Sequence, residues 1–321
     1  MSLRLSKILP IGCGQTYLVK THDGHYLEMG DVFMARELSL GSRPYAYADF
    51  VDPSDTNKRV MTICTMAGCS MHCRFCSMHD SFKRNLSAEE IVEQVGFMAE
   101  QGIALGRNPD LNAAKEFRVL YTRMGEPMVN INAVIDSIQR LIELYPHVII
   151  GMSTSGVISG LEKLLECPDI LPHIDMQISL HSTDADERRE LFGRNAMPLE
   201  LIAEYAKRWH HITGKQLSLN VILFEGYSYD FKSMVENFEF DPKSIWFRLS
   251  PWNVVAGADF DSLLKVQDII AKQPLSGDVI AMIIHDIKDL GIAFAYAPAI
   301  DKEIENQVAC GQALEAFKNM I

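Results

Sequence analysis

Short runs of β-branched and aromatic residues alternate along the chain with amphipathic helical patterns, and this alternation restricts the fold more than any other feature of the sequence. It is typical of repeated strand–helix–strand units, whose strands pair in parallel and whose crossovers are right-handed. The loops at the carboxyl ends of such strands gather at one edge, where barrels of this kind carry their chemistry. The sequence therefore predicts an α/β fold with a barrel or partial barrel. The candidate strands are 59–64, 117–122, 148–153, 174–180, 217–224 and 244–250.

The helical segments between these strands have recognisable starts and apolar faces. Ser87 and Glu90 form a capping-box pattern, so a helix is predicted to begin directly after Ser87. Between 131 and 142, apolar residues recur with the period of a helix that packs on a sheet. Further helices are predicted at about 159–166, 199–211, 230–238, 260–272 and 278–289.

Residues 1–55 lack the alternation and are predicted to form a small β-rich extension, followed by a catalytic domain at 56–321. With 321 residues and 48% hydrophobic content, the chain has enough apolar surface for a large α/β core. It contains neither a long uninterrupted apolar run nor an apolar leader segment. The sequence therefore predicts a soluble, cytoplasmic protein without a membrane segment.

The net charge is −12, from 30 Lys and Arg against 42 Asp and Glu. Because polyanions gain affinity when clustered Lys and Arg displace their counterions, this charge argues mildly against a nucleic-acid partner. Basic residues at 57–60 and 82–85 still provide a local positive region. The seven cysteines are too few and too clustered for a disulfide scaffold, and a reducing compartment would keep them as thiols.

Cys69, Cys73 and Cys76 form a C-x3-C-x2-C pattern directly after the first predicted strand. Three thiolates can hold three irons of a 4Fe–4S cluster and leave the fourth iron open to a small chelating molecule. The alternatives are a chance cysteine-rich loop and a zinc knuckle with His72, His79 or Cys64 as its fourth ligand. Structural zinc sites usually pair one such motif with a second knuckle, and the sequence has no second knuckle.

Four more motifs follow the ends of predicted strands, and a fifth lies near the carboxyl terminus. A glycine at 125 allows close backbone approach, and Glu126 offers a carboxylate to a cation. Hydroxyl, imidazole and amide groups further along suit a ribose or a sulfonium ligand. The alternatives are an ordinary turn, helix capping and, for Cys310, a small buried side chain. The motifs are "MGEP" with Gly125 and Glu126, "STSG" with Ser155, "ISLH" with Ser179 and His181, "PWN" with Asn253 and "ACGQ" with Cys310.

The cysteine loop resembles that of radical S-adenosylmethionine (SAM) enzymes, and the five motifs occur in the order found in the RlmN/Cfr family of RNA adenine C-methyltransferases. The resemblance runs from about residue 59 to about residue 315. It implies a partial (βα)6 TIM-like barrel of the radical SAM type, with a 4Fe–4S cluster and SAM at its carboxyl end. It places Glu126, Ser179 and Asn253 in the SAM pocket, and it implies a reductant such as flavodoxin or ferredoxin.

The resemblance also implies roles for two cysteines. The residue at the Cys310 position is methylated by one SAM and then loses a hydrogen atom to the 5′-deoxyadenosyl radical from a second SAM. The resulting carbon radical adds to an electron-poor adenine carbon, and a second cysteine releases the product by forming a disulfide. Cys64 is the candidate, although it stands five positions before Cys69 and relatives have seven. Either the shorter loop still delivers Cys64, which we expect because Cys64 keeps the strand-end position, or Cys64 is a buried structural thiol.

Two departures from the family affect the predicted substrate. The amino-terminal region is shorter than in relatives, and the segment "APAIDKEIEN" before Cys310 has acids at 301, 303 and 305 where relatives are basic. Acidic residues beside the entry repel phosphates. The predicted reaction is methylation of an adenine carbon, with ribosomal or transfer RNA as the expected carrier. The alternative is radical SAM chemistry on a small nucleotide, a natural-product intermediate or a peptide.

Overall fold

The computed structural model describes residues 3–11, 14–32, 58–78, 81–193, 196–223, 225–251 and 275–296. Within these residues, ten strands form one sheet in the order β1-β2-β3-β4-β7-β8-β9-β10-β11-β12, and β5 pairs with β6. The strands are β1 (Arg4–Pro10), β2 (Gly14–Lys20), β3 (Tyr26–Val32), β4 (Lys58–Ile63), β5 (Met66–Ala67), β6 (Arg84–Asn85), β7 (Glu116–Tyr121), β8 (Ile149–Thr154), β9 (Ile174–Ser179), β10 (Leu217–Leu223), β11 (Ile245–Pro251) and β12 (Ala293–Tyr296). The helices are α1 (Ala88–Ile103), α2 (Ile131–Leu144), α3 (Ile158–Leu165), α4 (Ala185–Phe192), α5 (Leu199–Thr213), α6 (Phe231–Asn237) and α7 (Gly277–Asp289).

The six predicted strands are all present, as β4 and β7 to β11, and each pairs in parallel with the next. Their order in the sheet is their order in the chain, which is the arrangement of a βα barrel wall. A seventh parallel strand, β12, extends the row beside β11. The sequence analysis did not predict β12, because four residues are too few to establish a period-two pattern.

The described part of the amino-terminal extension is β-structure, as predicted. Strands β1, β2 and β3 are antiparallel, and β3 pairs antiparallel with β4, so they continue the same sheet. Buried Asp31 on β3 binds Arg59 at 2.8 Å and Arg107 at 2.6 Å, which ties the extension to the barrel. The predicted domain boundary after residue 55 lies outside the described residues.

The helices agree with the predictions, with one addition. Ser87 caps α1 through the expected capping box with Glu90. Helix α4 was not predicted, because its sequence "ADERRELF" is mostly charged and offers only a short apolar face. The predicted helix at 260–272 lies outside the described residues. None of the helices in the described ranges is both long and apolar enough to cross a bilayer.

The two faces of the parallel strands differ in character. On β9, Ile174, Met176 and Ile178 are buried in the main apolar core, whereas Asp175, Gln177 and Ser179 alternate with them and are partly exposed. Because side chains alternate along a strand, the second set lies on the opposite, concave face of the sheet. The barrel wall therefore has an apolar outer face under the helices and a polar inner face.

Ion pairs cover the amino-terminal end of this concave face. Lys58 pairs with Glu116 at 3.0 Å, Arg118 pairs with Asp175 at 3.0 Å, and Lys215 pairs with the same aspartate at 3.0 Å. Arg118 also pairs with Glu116, so the charges form one connected row. These charged side chains at the amino-terminal end of the barrel thus have partners of opposite charge within the chain.

Candidate active site

The three cysteines of the predicted cluster motif lie in the loop that follows β4, between the short strands β5 and β6. Backbone bonds close this loop: Lys83 N–H donates to the carbonyl of Ala67 at 2.9 Å, and Cys69 N–H donates to Ser81 Oγ at 3.2 Å. Gly68 has φ +78°, and a Cβ there would lie 2.1 Å from the carbonyl oxygen of Ser81. The loop therefore requires glycine at this turn.

The three thiols are partly buried and lie close enough to influence one another's charge. Burial raises the pKa of Cys69 to about 12, and the neighbouring Cys76 adds to the effect. Burial likewise raises the pKa of Cys73 well above its usual value, with further contributions from Cys76 and Cys69. Three thiolates this close together need bound positive charge, which an iron–sulfur cluster provides.

No three His, Cys, Asp or Glu side chains in the described ranges converge so as to hold a single metal ion. Cysteines of a 4Fe–4S cluster bind separate irons and do not meet at one ion. His79, one candidate for the zinc alternative, lies outside the described residues.

An aromatic group docks the cysteine loop against the end of β9 and against α4. The Phe75 ring packs edge-on against His181 at 4.5 Å and against Phe192 at 5.1 Å between ring centroids. Arg74 adds a backbone bond to the carbonyl of Leu191 at 2.9 Å and an ion pair with Glu190 at 2.8 Å. The cysteines are therefore held from a second element besides their own strand.

His181, predicted as a cofactor-binding residue, lies within this aromatic group. Its Nδ1 accepts a hydrogen bond from the Ile222 N–H at 3.1 Å, so the other ring nitrogen carries the proton in the neutral form. Burial lowers the pKa of His181 to about 3, and the positive charge of Arg188 lowers it further. The structure thus gives His181 a packing role as a neutral ring, and direct cofactor contact stays a prediction.

Arg188 is a buried arginine that the sequence analysis missed. It is 1% exposed, and its guanidinium donates to the carbonyl oxygens of Ser179, Leu180 and Met197. Burial lowers its pKa to about 9. Its bonds fix the chain at the end of β9, where Ser179 was predicted to bind SAM. The "DERRE" segment gave no signal, because which of its charged residues is buried depends on tertiary packing.

Glu126 is a buried carboxylate beside the cysteine loop. It accepts bonds from Met128 N–H at 3.0 Å, from the Thr154 hydroxyl at 2.5 Å, and from both the N–H and the hydroxyl of Ser155 at 2.8 Å. Burial raises its pKa despite these donors. Its negative charge acts on the thiols of Cys69 and Cys73, so the "MGEP" and cysteine motifs form one site.

Gly125 brings the backbone of the "MGEP" turn against the start of the cysteine loop. Its φ is +99°, and a Cβ there would lie 2.7 Å from both Met66 and Thr65. A side chain would therefore push the two motifs apart. Ser155, predicted to bind the cofactor, donates both its N–H and its hydroxyl to Glu126.

Cys64, the predicted resolving cysteine, directly follows β4 and is fully buried. Its Sγ–H donates to the carbonyl of Glu28 at 3.1 Å, and the Gln94 side chain binds both its backbone N–H and its carbonyl. Burial raises its pKa to about 12, and the charges acting on it are those of Glu28 and Arg123. This environment favours the protonated thiol, and the predicted resolving role of Cys64 stays a prediction.

The site therefore joins five of the predicted positions in one region: Cys69, Cys73, Cys76, Gly125 and Glu126, with Ser155 bound to the carboxylate. Ser179 and His181 lie next to this region at the end of β9. Asn253 and Cys310 lie outside the described residues.

No protein-family model matches the chain. Among curated proteins, the probable dual-specificity RNA methyltransferase RlmN of Heliobacterium modesticaldum is 31% identical over 219 residues, 64% of this chain and 53% of that protein. The corresponding protein of Kocuria rhizophila is 33% identical over 52% of this chain and 46% of its own length. The RlmN of Sulfurovum sp. is 26% identical over 91% of this chain and 78% of that protein. The chain spans about half the length of the first two relatives.

Among solved structures, a radical SAM methyltransferase from Sphaerobacter thermophilus matches with a TM-score of 0.73 and 21% identity, covering 97% of this chain and 81% of that one. This similarity confirms the predicted fold, a partial barrel of the radical SAM type. The curated relatives confirm the resemblance to RlmN that the motifs predicted.

Proposed function

Because the chain resembles RlmN proteins and has the fold of a radical SAM methyltransferase, we propose that it is a radical SAM enzyme that methylates an unactivated sp2 carbon of adenine. The observation that carries the proposal is that the "MGEP" turn, which holds the buried Glu126, lies directly against the start of the cysteine loop, with Thr65 N–H donating to the Met124 carbonyl at 2.8 Å. RNA is the proposed carrier of the adenine. The acidic net charge of −12 and the acids before Cys310 make a small nucleotide the second candidate.

The cofactors follow from the donor groups. When bound, a 4Fe–4S cluster supplies the electron that cleaves SAM to methionine and a 5′-deoxyadenosyl radical. Cys69, Cys73 and Cys76 would hold the cluster, and the electron would come from a low-potential donor such as flavodoxin or ferredoxin. Open thiols and such a donor suit the reducing cytoplasm.

Glu126 is the proposed ligand of the SAM ammonium group. All four bonds that it accepts come from its own chain, and two of them come from hydroxyl groups, which can turn away. Ser155 keeps its backbone bond to the carboxylate at 2.8 Å when its hydroxyl leaves. A cation arriving at Glu126 also offsets the burial that raises its pKa.

Cys310 is the proposed methyl carrier, on the basis of the "ACGQ" motif. Its sulfur is methylated by one SAM, the S-methyl group loses a hydrogen atom to the radical from a second SAM, and the carbon radical adds to adenine. A base then removes a proton from the radical adduct, the carbon–sulfur bond breaks, and the sulfur of Cys310 joins a second thiolate as a disulfide. The released methylene carbon takes up a proton to become the methyl group, and the surplus electron would return to a cluster held by Cys69, Cys73 and Cys76. Each methylated adenine should therefore be accompanied by one S-adenosylhomocysteine and one 5′-deoxyadenosine.

Cys64 is the proposed partner in that disulfide, and its environment defines the test. To act, it must leave the Glu28 carbonyl and lose a proton from a thiol with a pKa of about 12. If Cys64 resolves the adduct, Cys64→Ala will be isolated covalently attached to its substrate through Cys310. If Cys64 is structural, Cys64→Ala will turn over at a nearly normal rate with a lowered melting temperature, and another thiol or base must be sought.

The function is tested with anaerobically purified, cluster-loaded protein supplied with SAM, a reductant and either RNA or adenine nucleotides. Mass spectrometry of the digested substrate should find a methyl group on an adenine carbon, with Cys310→Ala as the inactive control. RNA fragments that act only at low salt would indicate phosphate contacts. Methylation of nucleotides but not of RNA would select the second candidate, and radical formation without methylated adenine in either would refute the proposed substrate class.

A further inference from the structure

Three polar residues form a row across neighbouring strands on the concave face. Ser179 of β9 is in register with Asn220 of β10, and Asn220 is in register with Arg248 of β11. Residues in register on parallel strands point to the same side of the sheet. Their backbones are separated by one strand spacing, so the side chains of Asn220 and Arg248 can reach a common ligand.

The row lies close to the cysteine loop. Ile222, two positions beyond Asn220, belongs to a small apolar group against which Cys73 and Phe75 pack. Side chains two positions apart on a strand share a face and are separated by roughly 7 Å. Asn220 and Arg248 therefore face the space directly below the predicted cluster.

The buried polar groups of this row lack partners among the described residues. Asn220 is 3% exposed, and its Oδ1 makes no hydrogen bond. Ser218, on the same face two positions earlier, is 5% exposed, and its Oγ makes none either. Because an unsatisfied buried polar atom costs free energy, such groups side by side in a concave site indicate a missing ligand.

Arg248 adds an uncompensated charge. Within the described ranges no carboxylate pairs with it, although it is only partly exposed. The other cations on this face differ: Lys58, Arg118 and Lys215 all have carboxylate partners at the amino-terminal end of the barrel. Among the described residues of this face named here, Arg248 is thus the cation without a carboxylate partner.

We propose that Arg248 is the centre of an oxyanion-binding subsite, with the Asn220 amide as its second contact. The fork of a guanidinium matches a carboxylate or a phosphate, whereas the unsatisfied Asn220 Oδ1 is an acceptor and would take an N–H of the same ligand. Resting on the proposed function, the anion has two sources: the α-carboxylate of SAM and a phosphate of the nucleotide that carries the adenine. The subsite would position whichever ligand supplies it below the cysteines.

The test measures the affinity of the anaerobic, cluster-loaded protein and of Arg248→Gln for four probes: SAM, decarboxylated SAM, adenosine 5′-monophosphate and adenosine. If SAM supplies the anion, Arg248→Gln weakens SAM binding roughly ten- to a hundredfold and leaves decarboxylated SAM unchanged. If the substrate supplies it, the variant weakens binding of the monophosphate and leaves adenosine and SAM unchanged.

Arg118→Gln is the matched control, because it removes an arginine from the same face that already has carboxylate partners. It should bind all four probes like the wild type. An equal loss of affinity in both variants would mean that the arginines affect binding only through their long-range electrostatic field. That result would overturn the proposed subsite. Unchanged affinity of Arg248→Gln for every probe overturns it as well.

Asn220→Leu distinguishes a ligand-binding role of Asn220 from a purely structural role. Replacing the unsatisfied amide with an apolar side chain should raise the melting temperature of the ligand-free protein and weaken the affected probe. A lowered melting temperature with unchanged affinity would contradict the role of Asn220. The nucleotide probes need no cluster, so failure of the subsite and failure of the proposed radical chemistry can be told apart.

Discussion

The two ends of the concave face are built on opposite electrostatic principles. At the amino-terminal end, Lys58, Arg118 and Lys215 are paired with Glu116 and Asp175. At the carboxyl-terminal end, the buried Glu126 and Arg188 bind neutral groups in the part of the chain that the structure describes, and Asn220 Oδ1 makes no hydrogen bond there. The ion pairs of the amino-terminal end contribute to the stability of the barrel. At the carboxyl-terminal end, a bound ligand can offset the free-energy cost of the buried polar groups.

Burial acts on four titratable groups of the carboxyl-terminal end in the direction that disfavours the charged form of each. The pKa values of Cys69 and Glu126 are raised, and those of His181 and Arg188 are lowered, with desolvation as the first cause each time. Perturbed groups gathered in one region are typical of functional sites. The contrast supports the proposal that binding and chemistry take place at this end, and substitutions at either end test it.

The largest effect is expected for the cluster cysteines. Cys69→Ala, Cys73→Ala or Cys76→Ala should remove the bound iron and all SAM cleavage together, because each thiol would hold its own iron. Iron and sulfide analysis of anaerobic protein should give about four of each per chain for the wild type. Cys167→Ala, which removes a partly exposed thiol near the end of α3, is the control and should keep the iron. Stoichiometric zinc in place of iron would contradict the assignment.

A smaller effect is expected from the aromatic contact that docks the loop. Phe75→Ala removes the ring that packs on His181 and Phe192 at 4.5 and 5.1 Å, so the cysteines should lose their second support. The variant should bind iron but release it to a chelator at least about tenfold faster, for a loss of roughly 1.5 kcal/mol. Phe82→Ala, which removes an exposed ring from the same loop region, is the matched control. Identical release rates for the two variants would show that docking does not support the cluster.

Substitution of Arg188 should mainly lower the stability of the protein and, as a further effect, weaken SAM binding. Arg188→Met leaves the carbonyls of Ser179, Leu180 and Met197 without a donor, so the free energy of unfolding should fall by about 2 kcal/mol. The Michaelis constant for SAM should rise with iron content unchanged, because the end of β9 loses its fixed shape.

The neighbouring Arg189 provides the control for this substitution. Arg189 is 69% exposed in its side chain, and its one ion pair among the described residues is with Asp186, so Arg189→Met should change stability by less than about 0.5 kcal/mol. Chemical denaturation of the two variants gives the comparison directly. Equal losses would mean that the buried carbonyl bonds contribute nothing specific.

The smallest effect is expected at the amino-terminal end. Asp175→Asn breaks the partly exposed pairs with Arg118 and Lys215, and should cost at most about 1 kcal/mol of stability. Iron content and SAM affinity should not change. A loss of SAM binding in this variant would contradict the proposal that the two ends of the concave face have different roles.

The sequence predicted the barrel strands well because each carries a local pattern of its own. The end of β4 and the capping box before α1 lie within a residue of their predicted positions. Helix α4 could not be predicted, since its stability depends on burying Arg188 and Phe192 against parts of the chain distant in sequence.

The parts of the candidate site that form short sequence motifs could be predicted. The parts that depend on how distant segments pack together could not be predicted as well. The cysteine triplet and Glu126 are visible as motifs, and the structure brings them together. The burial of Cys64 against Glu28 and the row of Asn220 and Arg248 arise from strand register, which the sequence does not display. These tertiary features raise the questions about resolution and substrate that the motifs leave open.

The most direct test of the central claim is the 5′-deoxyadenosine formed when the reduced, cluster-loaded protein is mixed with SAM under anaerobic conditions. The account predicts that the wild type forms this product and that Cys73→Ala forms none. Glu126→Gln should form far less at a given SAM concentration, because its amide replaces the carboxylate beside the thiols. If wild-type protein with a full complement of iron and sulfide forms no 5′-deoxyadenosine, the carboxyl-terminal end is not a radical SAM site.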